Sequence, residues 1–109
     1  MDMDEELLKN QRFLSETEHA IRVTNNEVIH KLISPVTSER ILTFSVAVAK
    51  LRAQYIKAAF KFADAKHPDG EQGATEIDEL SLHRRRFEEA RDAFIALQRA
   101  IELGYMAVE

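Results

Sequence analysis

Cysteine is missing from this chain of 109 residues, and tryptophan is missing too. Without thiols there can be no disulfide framework, no thiolate metal site and no cysteine nucleophile, which fits the reducing cytoplasm. Only three glycines and two prolines interrupt the sequence, so long unbroken elements are expected. No glycine-rich phosphate loop is present. The longest strongly apolar run, "ILTFSVAVA", is nine residues, against the ~20 that a membrane-spanning helix needs. The N-terminus, "MDMDEELLKN", is acidic where a secretory leader would be basic and then apolar. A cytoplasmic location, with no membrane partner, is therefore expected.

What is present is the balance of a folded domain: 45% apolar and 31% charged residues, with a net charge of −4. The length suits one domain over residues 1–109. An acidic total argues against nucleic acid as a partner. The charge is unevenly placed. Acidic side chains dominate residues 1–20, basic ones residues 38–66, and acidic ones again residues 75–103. That alternation suits three antiparallel neighbours, whose charges bias pairing and register more than they add stability.

Three helical segments account for most of the chain, at about 4–33, 37–66 and 75–103. In the first, Leu7, Leu14, Ile21 and Val28 recur every seven residues and are joined by Leu32. The positions that would widen this stripe, Asn10, Thr17 and Thr24, are polar. "TNN" at 24–26 has low helix propensity and reads as a local weakness. The second segment carries a heptad seam of Ile41, Phe44, Val48, Leu51, Tyr55, Ala58 and Phe62. A second apolar seam, Leu42, Val46, Ala49, Ala53, Ile56, Phe60 and Ala63, runs beside it. A helix with two seams must bury against two neighbours, so this one is expected to be central.

"KHPDGEQGA" supplies the turn into the third segment, where Thr75 is a candidate N-cap. Its seam is Leu80, His83, Phe87, Ala90, Phe94, Leu97 and Ile101. Gly104 followed by Tyr105 predicts a Schellman-type stop. The fold class is all-α: an antiparallel bundle of three long helices, either closed within one chain or completed by dimerisation. The thin stripe of the first helix favours an oligomer.

The sites of possible chemistry each have a plainer reading. Glu16-x-x-His19 and Glu27-x-x-His30 have the spacing that carboxylate-bridged di-iron helices use. Their face lies opposite the Leu7–Val28 stripe, however, and the two histidines stand about 16 Å apart along a helix. A solvated face is expected, and no cofactor. His83 sits on an apolar seam and reads as structural. His67 has Asp69 and Glu71 nearby without regular ligand spacing, so weak metal binding is the most it supports. In "HRRRFEEARD", Arg84–Glu88 and Arg85–Glu89 are spaced to pair along the helix, and Phe87 belongs to the apolar seam, so no exposed aromatic residue is expected beside them for base stacking. No serine, histidine and carboxylate signature is found, so catalysis is not expected.

One stretch remains. "HKLISPV", His30 to Val36, resembles the H-box of histidine-kinase dimerisation and histidine-phosphotransfer domains. The matching positions are His30, Leu32, Ser34, Pro35 and Val36. The resemblance implies an exposed phospho-accepting His30, a helix kinked but unbroken at Pro35, and helical hairpins that dimerise. Lys31 stands where that family usually carries an acidic residue, and 109 residues leave no room for an ATP-binding domain, so a phosphotransfer or docking module is expected and not a kinase. The plainer reading makes Ser34 the N-cap and Pro35 the first residue of the second helix, with His30 in the last turn of the first.

The expected function is a non-enzymatic protein–protein interaction or scaffolding module that self-associates. Its surface is expected to include Leu42, Val46, Ile56 and Phe60 of the second seam, and Tyr105, Met106 and Val108 of the tail. A phosphotransfer module using His30 is the alternative, with weak histidine and carboxylate metal binding third.

Overall fold

The computed structural model describes residues 2–65 and 73–109. The described chain is all-α, with three helices in the order α1 (Met3–Leu32), α2 (Ser38–Asp64) and α3 (Ala74–Glu102). These bounds match the expected segments to within a residue or two. The turn expected at 66–72, with His67, lies outside the described residues. The chain divides into two compact units, residues 38–98 and residues 1–37 with 99–109.

The first unit is a hairpin of α2 and α3. Contacts between the two helices run in opposite directions. Phe44 meets Phe94 at 5.4 Å between ring centroids, Tyr55 meets Phe87 at 6.0 Å, and Lys61 pairs with Glu79 at 2.9 Å. Such aromatic pairs contribute roughly 0.5–1.5 kcal/mol beyond the area they bury. The first seam of α2 makes this contact, and Val48 and Ala58 from it are buried, along with Phe87 from the seam of α3. Phe87 is also flanked by guanidinium groups, with Arg52 at 5.1 Å and Arg91 at 5.4 Å from its centroid. Those arginines lie over the ring, a surface that another helix would cover in a larger core.

The second unit joins α1 to the last turn of α3 and the tail. Asp2 caps α1, its carboxylate accepting the Glu5 N–H at 2.8 Å. Asp4, Glu5 and Glu6 occupy the first turn and His30 and Lys31 the last, as the helix dipole favours. The helix runs unbroken through "TNN". Asn25 donates to the Ile21 carbonyl at 2.9 Å and Asn26 to the Gly104 carbonyl at 3.2 Å. The expected weakness is instead a docking point: Asn26 satisfies a carbonyl that the end of α3 leaves open.

The exit from α1 bears out the plainer reading in one part, since the helix ends before the Ser-Pro pair with His30 in its last turn, and corrects it in the other. The helix ends at Leu32, and Ile33 is extended at φ −130° and ψ 125°. Pro35 therefore neither kinks a continuous helix nor opens α2, and Ser34 is not its N-cap, since α2 begins at Ser38. The residue before a proline is pushed out of the helical region, which stops α1 early. Residues 33–37 instead form an extended connector. In it, Val36 donates its N–H to the Ala107 carbonyl at 2.9 Å and accepts from the Glu109 N–H at 2.9 Å, a parallel bridge opposite Val108. Its side chain is 5% exposed.

The end of α3 follows the expected stop. Gly104 has φ 74°. Its N–H donates to the Ile101 carbonyl, and the Tyr105 N–H donates to the Ala100 carbonyl at 2.8 Å, the paired bonds of a Schellman motif. The start of α3 corrects the reading of Thr75. The helix already includes Ala74, so Thr75 sits within the first turn and not at the cap.

Candidate interaction surface

α2 turns by about 100° per residue, which places the centres of its two seams roughly 140° apart around the helix axis. The second seam is thus nearly opposite the first, and a hairpin with α3 can cover only one of them. Leu42, Val46, Ile56 and Phe60 are 64%, 43%, 49% and 64% exposed, and Ala49, Ala53 and Ala63 between them are exposed as well. The result is an apolar line from Leu42 to Ala63, about 32 Å long at 1.5 Å per residue. Monomers seldom leave so long a contiguous apolar strip in water.

Charge borders this strip on one side. Lys50 and Lys57 stand next to it, both exposed, and neither is in an ion pair among the described residues. On the other side Arg52 is drawn over the Phe87 ring. The one-turn offset of Lys50 and Lys57 from Val46, Ala53 and Phe60 is the signal in the sequence that they frame the seam.

α1 is the other exposed apolar element. It contains no buried residue, and Leu7, Leu14, Ile21 and Val28 are each about half exposed. The face of α1 that meets the tail lies beside this stripe and overlaps it at Ile21. Arg22 and Asn26 lie against Gly104, and Glu18, Ile21 and Arg22 line a small groove with Leu103 and Tyr105. Of the tail residues expected at an interface, Tyr105 and Met106 are half-buried, and Val108 is exposed while its backbone is bridged to Val36. The tail is engaged within its own unit more than its sequence indicates.

The candidate chemistry disperses. Glu16, His19, Glu27 and His30 are all exposed, and no group of three or more His, Asp or Glu side chains able to hold a metal occurs among the described residues. His30 has the exposed ring that the phosphotransfer resemblance implies, but the helix it implies beyond His30 ends two residues later. His83 is half-buried in the hairpin, beside the Lys61–Glu79 pair in an open groove of about 180 Å³. The hydrogen bond from Lys61, with its charge, holds the Glu79 carboxyl below its ordinary value, and Lys61 is raised in return. That exposed pair lies beside His83 along the α2–α3 contact. The expected Arg84–Glu88 and Arg85–Glu89 pairs are not formed. Exposed side chains gain little by holding such geometry.

Among the described residues, no helix is long and apolar enough to cross a membrane. Comparison with known protein families, with curated proteins and with solved structures finds no match for this chain.

Proposed function

We propose that this chain is a non-enzymatic helical interaction module that self-associates through the second seam of α2. The observation that carries this reading is the unbroken exposed line of Leu42, Val46, Ile56 and Phe60 on the face of α2 turned away from α3. Full burial of one such side chain is worth roughly 1.5–3 kcal/mol, so the exposed halves of these four hold back about 4–5 kcal/mol. A chain that keeps this much apolar surface in water, on the heptad spacing that packs helix against helix, is built for a helical partner.

The other readings have less support. Phosphotransfer keeps an exposed His30 but lacks the continuous helix, and among the described residues no three side chains are grouped to hold a metal. Self-association is tested by sedimentation velocity from low to high micromolar concentration. The parent chain is expected to be dimeric or larger, and Ile56→Asp with Phe60→Asp monomeric at unchanged helix content. A parent chain that remains monomeric at high micromolar concentration refutes the reading.

A further inference from the structure

If the second seam of α2 meets another copy, which surface of that copy covers it? Two candidates are present in every chain: the same seam, or the exposed stripe of α1. We infer that α1 of one copy packs along the second seam of α2 in the other, reciprocally, so that two chains exchange their first helices. This rests on the proposal that the seam is a self-association surface and names its occupant.

Periodicity supports it first. The α1 stripe at Leu7, Leu14, Ile21 and Val28 and the seam at Leu42, Ala49, Ile56 and Ala63 share a seven-residue repeat. Two helices with one repeat stay in contact over their whole length as a left-handed supercoil, and with the two strips aligned antiparallel Leu14 stands across from Ile56 and Glu18 near Lys50. Their lengths agree as well, each close to 32 Å at 1.5 Å per residue.

Size also separates the candidates. Packing seam on seam would cover one exposed strip per chain and leave the α1 stripe of both copies in water. Reciprocal packing of α1 on α2 covers both strips on both chains, twice the number of exposed apolar side chains. The thinness of the α1 stripe then suits its task, because the seam it meets is also narrow, with alanine at Ala49, Ala53 and Ala63. Small residues there let a second helix approach closely. The contact pairs unlike surfaces, yet the exchange closes under a two-fold axis, since each chain supplies one of each.

Charge makes the distinction in sign. Seam on seam would bring Lys50 and Lys57 of one copy towards those of the other. The α1 stripe is flanked instead by Asp4 and Glu18 on one side and Glu6 on the other, with Lys31 the basic residue beside Val28. These carboxylates are exposed and in no ion pair among the described residues. Acidic flanks on one helix and basic flanks on the other are the device by which paired helices select partner and register.

The absence of native cysteine makes the test direct. Full-length Leu14→Cys and Ile56→Cys chains, each altered at one exposed position, are mixed and oxidised under mild conditions, and the products are identified by mass. A dominant mixed disulfide between the two different chains is the expected result. A dominant Ile56→Cys homodimer overturns the exchange but leaves self-association standing, with the seam meeting itself. A chain carrying both changes that closes a disulfide within itself, while remaining monomeric by sedimentation, overturns both readings. A charge test stands apart from any disulfide. Lys50→Glu is expected to weaken dimerisation severalfold, and Glu18→Lys in the same chain to recover most of the loss. Without recovery, the pairing of α1 with this seam is wrong.

Discussion

Replacing Phe87 by alanine removes the largest buried side chain of the α2–α3 contact. The ring is 8% exposed, stacks on Tyr55 at 6.0 Å, and lies under the guanidinium groups of Arg52 and Arg91. Truncating a buried phenylalanine costs about 3–5 kcal/mol, the spread reflecting how far the surroundings collapse into the gap. Here two of the neighbours are long flexible arginines that can fold inward, which places the expected loss near the lower end, about 3 kcal/mol. That figure already contains the aromatic and cation–π parts, which are not added again. Domains of this size have roughly 5–15 kcal/mol in total, so the loss is a large share. Urea unfolding followed by far-ultraviolet circular dichroism, with parent and variant at one protein concentration, measures it. The fixed concentration matters because assembly contributes to apparent stability. An unchanged urea slope with a loss below about 1 kcal/mol would mean that Phe87 is not the keystone of the hairpin.

Two further effects follow from single contacts. Gly104→Ala forces an L side chain to φ 74°, and its Cβ would stand 3.3 Å from Cδ of Arg22. Because Arg22 is flexible, backbone strain dominates, and a loss of about 1–2 kcal/mol is expected in thermal unfolding; a stabilised variant would contradict the left-handed stop. The Lys61–Glu79 pair predicts a pH signature. Glu79 is held below 4.5, so its contribution is present above that value and fades as pH falls through the lowered one. Lys61 is held above 10.5, so its contribution is present below that value and fades as pH rises through the raised one. The difference in melting temperature between the parent and Glu79→Gln should therefore be flat through neutral pH and shrink in acid. A difference that persists undiminished at pH 2 would assign it to something other than the ion pair.

Much of the architecture was legible because heptads encode burial directly. The first seam of α2 and the seam of α3 are the faces that meet, and Gly104 with Tyr105 stops α3 as their order implies. The second seam was legible as a surface needing cover, though its place nearly opposite the first emerges only when the residues are set around the axis. What escaped was non-periodic. Val36, the most buried side chain described, is a single valine in an extended connector, paired with residues at the far end of the sequence. No window of neighbours signals such a contact. Asn26 was misjudged for a related reason: helix propensity counts it as a weakness, while its distant partner, the Gly104 carbonyl, makes it useful.

That distant pairing also bears on the order in which the molecule assembles. Asn26 and Gly104 are 78 residues apart, and closing a flexible loop of that length costs about 4 kcal/mol in chain entropy. Once Phe44 has met Phe94, the hairpin short-circuits the span between them, leaving a loop of about 28 residues and lowering the cost by about 1 kcal/mol. Most of that remainder is already helical, which lowers it further. Contacts made by Asn26, Val36 and the tail are therefore cheap only after α2 and α3 have paired. They are the last to close as the chain folds and the first to open when it loosens.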